Sequence, residues 1–314
     1  MVGMEGIMGG AEHFVRAPGW EWYILAYFFL AGLTGGCYAI ATLLRHWGGP
    51  AQLALWRLGF LVAFPTLVVC PLLLTLDLGQ PVRFWHMLVD TTPGGTPITL
   101  RYWSPMSVGV WALLVYGVFA TVSFLEVLVL QRVIRHPLGP RLASLLEGPG
   151  GRAFNVVGAV LGLLVASYTG VLLSVSNQPV WSDTWALGGL FLASGFSGSL
   201  ALLGLLARRQ GATAGESWLQ PVESYVAVLE LALLLVFGVT VAFAGTLGVA
   251  VRFPWLLLWL VVLVSLVPPL SALSGRRLLA AGSGQAGLAA VAVPVLVLVG
   301  VLALRMAVIF SAQL

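Results

Sequence analysis

The sequence predicts an all-α integral membrane protein of about eight transmembrane helices. Three observations predict it. Hydrophobic residues make up 60% of the 314 positions and charged residues only 8%, against roughly 25% charged in a soluble domain. Eight apolar runs reach spanning length, and the arginines alternate between successive connections.

The runs cover residues 22–44, 53–76, 107–130, 154–175, 185–206, 222–247, 254–273 and 288–310. At 1.5 Å of rise per residue each crosses a hydrocarbon core of roughly 30 Å. Backbone groups unable to reach water then force the helical form. The first run carries a glycine cluster, Gly32 to Gly36, expected to let helix backbones approach closely, although a glycine also makes room for a flat ring. Cys37 and Cys70 sit inside apolar runs without CxxC spacing and read as buried fillers. The third run holds Glu126, the sixth Glu230 and the eighth Arg305. The fourth carries Ser167-Tyr168-Thr169-Gly170 and leads into Ser174, Ser176, Asn177 and Gln178. Trp20, Trp22, Tyr23, Trp181, Trp185 and Trp255 lie near predicted helix ends, where an aromatic belt is expected.

All fifteen basic residues are arginine. Odd-numbered connections hold Arg45 and Arg57, then Arg132, Arg135, Arg141 and Arg152, then Arg208 and Arg209, then Arg276 and Arg277. Even-numbered ones hold only Arg83, Arg101 and Arg252. The positive-inside rule therefore predicts cytoplasmic odd connections and both termini outside. There is no dense basic face, so nucleic acid is not an expected partner. Residues 1–19 lack the charged start, apolar run and small-residue site of a secretory signal. The first helix is expected to direct insertion.

The longest outer connection, 77–106, contains Pro81, Pro93, Pro97 and Pro105, the run Pro93-Gly94-Gly95, and the aromatic residues Phe84, Trp85 and Trp103. It is the expected surface for a partner, since long loops are more often functional than idle.

The four histidines are His13, His46, His86 and His136, and no pair is placed within helices to sandwich a haem. P-loop, Rossmann and zinc-protease patterns are absent as well. Ionisable residues inside the runs are costly unless paired or wetted. For Glu126, Glu230 and Arg305 a structural salt bridge or a snorkelling side chain stands beside a proton path. A phenol such as Tyr168 needs a hydrogen-bond partner, either a neighbouring backbone or a quinone carbonyl.

Several strings occur in one order: LDLGQPVRFW (76–85), SPMSVGVW (104–111), SYTGVLLSVSNQPVW (167–181), FLASG (191–195) and the closing Leu304-Arg305. Together they resemble the NrfD/PsrC family of quinone-interacting membrane anchors, which includes the polysulfide reductase membrane subunit. The resemblance spans all eight helices and is most specific in the first half. It implies a haem-free subunit built as two four-helix bundles, 20–180 with the quinone site and 181–314, in a bacterial or archaeal cytoplasmic membrane. It implies electron exchange between a quinone or quinol, menaquinone or ubiquinone, and a four-cluster ferredoxin-like iron–sulfur subunit. That partner would serve a catalytic subunit, often a molybdopterin enzyme. No haem or iron–sulfur cluster is expected in this chain.

Residue by residue, the resemblance gives Tyr168 the quinone-contacting tyrosine position. Tyr27 falls where the polysulfide reductase subunit has a quinone-contacting histidine, and Ile24 where it has an asparagine. Gly36 is carried beside them. Asp77, Gly79, Pro81, Arg83, Phe84 and Trp85 match the string at the outer end of the second helix, with Asp77 and Arg83 expected to shape the quinone entrance. Asp77, His86, Glu126, Glu230 and Arg305 are the candidate proton-path residues. A secondary transporter with an intramembrane Glu/Arg site and helices broken at Pro65, Pro71, Pro268, Pro269 and Pro294 is the alternative. A purely structural anchor is a third possibility.

Overall fold

A computed structural model describes residues 13, 16–91, 98–135, 137, 139–211, 216–273 and 285–313. His136, Arg276, Arg277, Pro97 and the Pro93-Gly94-Gly95 run lie outside the described residues. Ten α-helices are described: α1 Trp22–Trp47, α2 Leu53–Asp77, α3 Pro105–Leu130, α4 Gly139–Glu147, α5 Pro149–Ser174, α6 Leu187–Arg209, α7 Glu216–Phe243, α8 Leu247–Ala250, α9 Trp255–Leu273 and α10 Gln285–Ser311. Eight of them, all but α4 and α8, are long and apolar enough to cross a membrane.

Prolines place several helix starts. Pro105 and Pro149 occupy the first position of α3 and α5, where the missing N–H is not needed and the fixed φ suits the helix. Ser104 caps α3 by accepting from the Ser107 N–H at 3.5 Å. Inside the helices the prolines do not interrupt the fold: α2 runs through Pro65 and Pro71, α9 through Pro268 and Pro269, and α10 through Pro294. The broken spans expected of the transporter alternative are therefore not found in these helices. Hydropathy gave no sign of α4, because nine residues with a polar face cannot span.

α1 is the centre of the packing. It lies against α2, α5, α6 and α10, while α3 bridges α2 and α5. α6 touches α5, α7 and α10, and α9 completes contacts with α7 and α10. Small residues make these approaches close, as expected of helices without a hydrophobic driving force between them. A Cβ on Gly35 would overlap the Gly162 carbonyl of α5. A Cβ on Gly195 of α6 would stand 2.8 Å from the Gly32 Cα.

Residues near the two ends of the chain meet. The Trp20 backbone N–H donates to Gln313 Oε1 at 2.6 Å, and Gln313 Nε2 donates back to the Trp20 carbonyl at 3.1 Å. Trp20 stacks on the fully buried Trp181 with ring centres 5.2 Å apart, and the Trp181 indole donates to the Val308 carbonyl at 2.7 Å. Next to it, Asp183 accepts from the Val180 N–H at 2.8 Å and from the Thr246 hydroxyl at 2.5 Å. The first of these bonds holds Val180 at a φ of 70°, a conformation unfavourable for a β-branched residue.

Candidate functional site

A cavity of about 670 Å³ opens between α1, α2, α3 and α5, at the end of the helices that bears the 77–106 connection. α3 contributes Met106, Gly109, Leu113, Gly117 and Thr121, a stripe three and four residues apart that one helix face must present together. α2 contributes Phe64, Leu67, Pro71, Leu74 and Asp77 from the opposite wall. Ile24 and Tyr27 of α1 and Tyr168 and Leu172 of α5 complete the end nearest the connection. A 3₁₀ helix, Pro81–Met87, folds over this end and sends Phe84 and Met87 into the lining.

Tyr27 and Tyr168 thus share one apolar chamber although they come from different helices. Tyr27 is buried, and among the described residues neither phenol oxygen has a hydrogen-bond partner within the protein. The backbone bond that would have explained Tyr168 structurally is therefore not made. Tyr168 is instead seated against Gly109, where a Cβ would run into the phenol ring and its oxygen. Two such hydroxyls in an apolar chamber can each donate one hydrogen bond to a carbonyl-bearing ring.

The other expected site residues are distributed differently. Asp77 lines the cavity at its rim. Arg83 is exposed on the 3₁₀ helix, and among the described residues no ion pair joins it to Asp77. His86 is exposed too, its ring stacked on Trp85 and its Nδ1 3.2 Å from the Arg83 carbonyl. Gly36 does not line the cavity: it faces α6, where a Cβ would strike the Ser199 hydroxyl and approach the Gly195 carbonyl. Close packing, not room for a ring, occupies that glycine.

Glu126 is fully buried and paired through both oxygens with Arg45, whose Nη2 stands 2.5 Å from Oε1 and also donates to the Leu146 carbonyl of α4 at 2.9 Å. Beside this pair a polar network runs between α1, α3 and α5. The Tyr38 and Ser123 hydroxyls are 2.8 Å apart, Ser123 donates to Asn155 Oδ1 at 3.3 Å, and Asn155 Nδ2 lies 3.1 Å from His46 Nε2. Sequence reasoning missed this network; the signal was a serine and an asparagine standing inside apolar runs.

Glu230 and Arg305 form a second buried polar site, between α6, α7 and α10. Arg305 is completely buried and donates to the Phe28 carbonyl at 3.0 Å, the Ser194 hydroxyl at 2.9 Å, and the Val301 and Phe191 carbonyls at 3.0 and 3.1 Å. Its guanidinium also lies over the Phe191 ring, 5.1 Å from the centre. Gly32 leaves the slot, since a Cβ there would stand 2.6 Å from Nη2. Glu230 is the nearby opposite charge, with Ser197 beside it, and its Oε2 has no hydrogen-bond partner among the described residues.

The family model for polysulphide reductase, NrfD, matches residues 11–314. The protein belongs to the NrfD family. It is similar to a polysulfide reductase chain from Wolinella succinogenes, 31% identical over 237 residues that cover 72% of this sequence and 71% of the relative. Protein NrfD of Escherichia coli is 30% identical over 193 residues, 58% of each protein. A selenate reductase subunit from Mesobacillus selenatarsenatis is 26% identical over 113 residues, 36% of this sequence and 24% of the relative. Family membership and eight apolar helices together make this a multi-pass membrane protein. The strings that carried the resemblance fall at distinct places in the NrfD fold: LDLGQPVRFW at the cavity rim, SPMSVGVW along the α3 wall, SYTG in the α5 wall, and FLASG with Leu304-Arg305 around the buried guanidinium.

Proposed function

We propose that this NrfD-family protein is the quinone-reactive membrane subunit of a respiratory oxidoreductase complex, exchanging electrons between the quinone pool and an iron–sulfur partner. The observation that carries the reading is the pair of unpartnered phenols, Tyr27 and Tyr168, lining one apolar cavity. A quinone ring needs an apolar slot with few hydrogen-bond donors, and this chamber supplies both. Asp77 at the rim is the group positioned to exchange protons with water there, with Arg83 and His86 on the adjoining turn.

The partner in this reading is a four-cluster ferredoxin-like subunit docked on the 77–106 connection, outside the membrane, with a catalytic subunit beyond it. Support comes from exposed aromatic residues on that connection: Tyr102 is 81% and Trp103 69% exposed, and such residues are enriched at protein interfaces. The arginine bias supports an outer location for this connection and for both termini. The same reading keeps a division into halves, 20–180 with the cavity and 181–314 with Arg305, although α6 packs on α1 and α5 as closely as on α7 and α10. Glu230 and Arg305 are the proposed elements of a proton path in the second half, while Glu126 is held in its ion pair.

Quinol-dependent reduction by the purified complex tests the proposal. Tyr168→Phe keeps the ring against Gly109 and removes only the hydroxyl, so the complex assembles and the rate with quinol falls by about 10- to 100-fold, the scale of one lost hydrogen bond to a reacting group. Full activity in that variant overturns the site.

A further inference from the structure

Among the described residues, none of α6 to α10 lines the cavity. Yet α10 holds the cavity's first wall at two places. That wall is Ile24, Tyr27 and Phe28 on one face of α1, continued outward by Trp20. Deeper in the bundle, Arg305 Nε donates to the Phe28 carbonyl at 3.0 Å. At the outer end, the side chain of Gln313, on the turn after α10, meets Trp20.

Trp20 stands two residues before α1 begins, so the helix ladder satisfies neither its N–H nor its carbonyl. The Gln313 amide answers both. Its Oε1 accepts from the Trp20 N–H at 2.6 Å and its Nε2 donates to the Trp20 carbonyl at 3.1 Å, as a neighbouring peptide group would. A further donation from Nε2 to the Ile309 carbonyl at 3.3 Å fixes the side chain against its own helix. The ring of Trp20 is referred to the same turn of α10, because it stacks on Trp181, whose indole donates to the Val308 carbonyl. Its other ring contact is edge-on with Phe28, centres 6.1 Å apart. Glu21, the next residue along, is the acidic neighbour of Asp77 at the cavity rim.

We propose that Gln313 is a positioning residue of the quinone site, acting through Trp20 to fix the outermost part of the α1 wall. This role rests on the quinone reading of the cavity. The clasp needs a donor and an acceptor on one planar end at this length: a carboxylate offers no donor to the Trp20 carbonyl, asparagine is one methylene shorter, and methionine has the length with neither group. Without the clasp the Trp20 backbone has no other hydrogen-bond partner among the described residues, and its ring can leave the wall. Tyr27 and Tyr168 keep their hydroxyls, so a bound ring is held less tightly while its reaction is unaltered.

Menadiol oxidation by the purified complex in nanodiscs is the test. Gln313→Met raises the apparent KM by about fivefold, the scale of one net hydrogen bond, and leaves kcat unchanged, the signature of lost uniform binding. Ser311→Ala, in the same turn but bonded to the Val308 carbonyl rather than to Trp20, leaves both constants at their parent values. An unchanged KM in Gln313→Met, or an equal rise in Ser311→Ala, overturns the clasp alone. Absence of menadiol oxidation by the unaltered complex overturns the quinone reading, and the positioning role falls with it. Should Gln313→Met fail to assemble, hydrogen–deuterium exchange of the unaltered complex decides the matter, because coupling between two sites is reciprocal. Menadione slows exchange in the segment 309–313, which lines no part of the cavity; exchange there that ignores menadione overturns the clasp.

Discussion

Tyr168 rests on the bare backbone of Gly109: a methyl group built on that glycine would overlap the phenol ring and its oxygen. The helix α3 thus sets the depth at which the α5 phenol stands in the cavity. Gly109→Ala displaces the hydroxyl without removing it. The expected result is an apparent KM for quinol raised by about 3- to 10-fold, the effect of a misplaced but intact donor. Steady-state quinol oxidation by the assembled complex measures it, and a KM equal to that of the parent contradicts this positioning role.

The Arg45–Glu126 pair joins α1 to α3 and, through the Leu146 carbonyl, to α4. Glu126→Gln leaves an uncompensated guanidinium among apolar helices, and the stability loss is expected at about 3–5 kcal/mol, as for breaking other buried pairs. The double replacement Arg45→Met with Glu126→Leu removes both charges and recovers most of the loss. Thermal unfolding in detergent compares the three proteins; a double variant no more stable than Glu126→Gln contradicts the account.

Arg305 ties α10 to α1 and α6 through backbone carbonyls, whereas Glu230 has an oxygen without a hydrogen-bond partner among the described residues. The two residues should therefore fail differently. Arg305→Leu strands several buried acceptors and lowers stability by about 3 kcal/mol or more. Glu230→Gln also costs stability, because it removes the charge facing the buried Arg305, but per assembled complex it leaves quinol oxidation unchanged and lowers proton uptake in proteoliposomes. Unchanged proton uptake in Glu230→Gln removes Glu230 from the proposed path.

The number and places of the spans were legible, their ends less so: the run read as 222–247 is a helix that stops at Phe243, with the short α8 beginning at Leu247. The run at 107–130 became Pro105–Leu130, and Pro105 was the signal that set its start. The run at 154–175 extended back to Pro149 because Gly150 and Gly151 hid the helix from a hydropathy reading, although proline at the first position marked it. The packing sense of the glycine cluster was legible too, while its detail was not: Gly32 admits a guanidinium, Gly35 a carbonyl and Gly36 a serine.

The amino-acid sequence by itself determined that this protein is helical and membrane-bound, because apolar runs of that length admit no other backbone satisfaction in lipid. Its motifs determined the family. Only the tertiary structure decided that Tyr27 and Tyr168 share a cavity, that Gly36 does not, that Glu126 meets Arg45, and that Gln313 meets Trp20. The physical reason lies in the solvent. In water a helix advertises its buried face by an apolar stripe, but in lipid both the packed and the exposed faces are apolar. Helices such as α2, α3 and α10 are hydrophobic all round, so their sequences carry length and ends but not neighbours. Facing is settled where small residues permit contact and polar side chains must find partners, and both are properties of two helices at once.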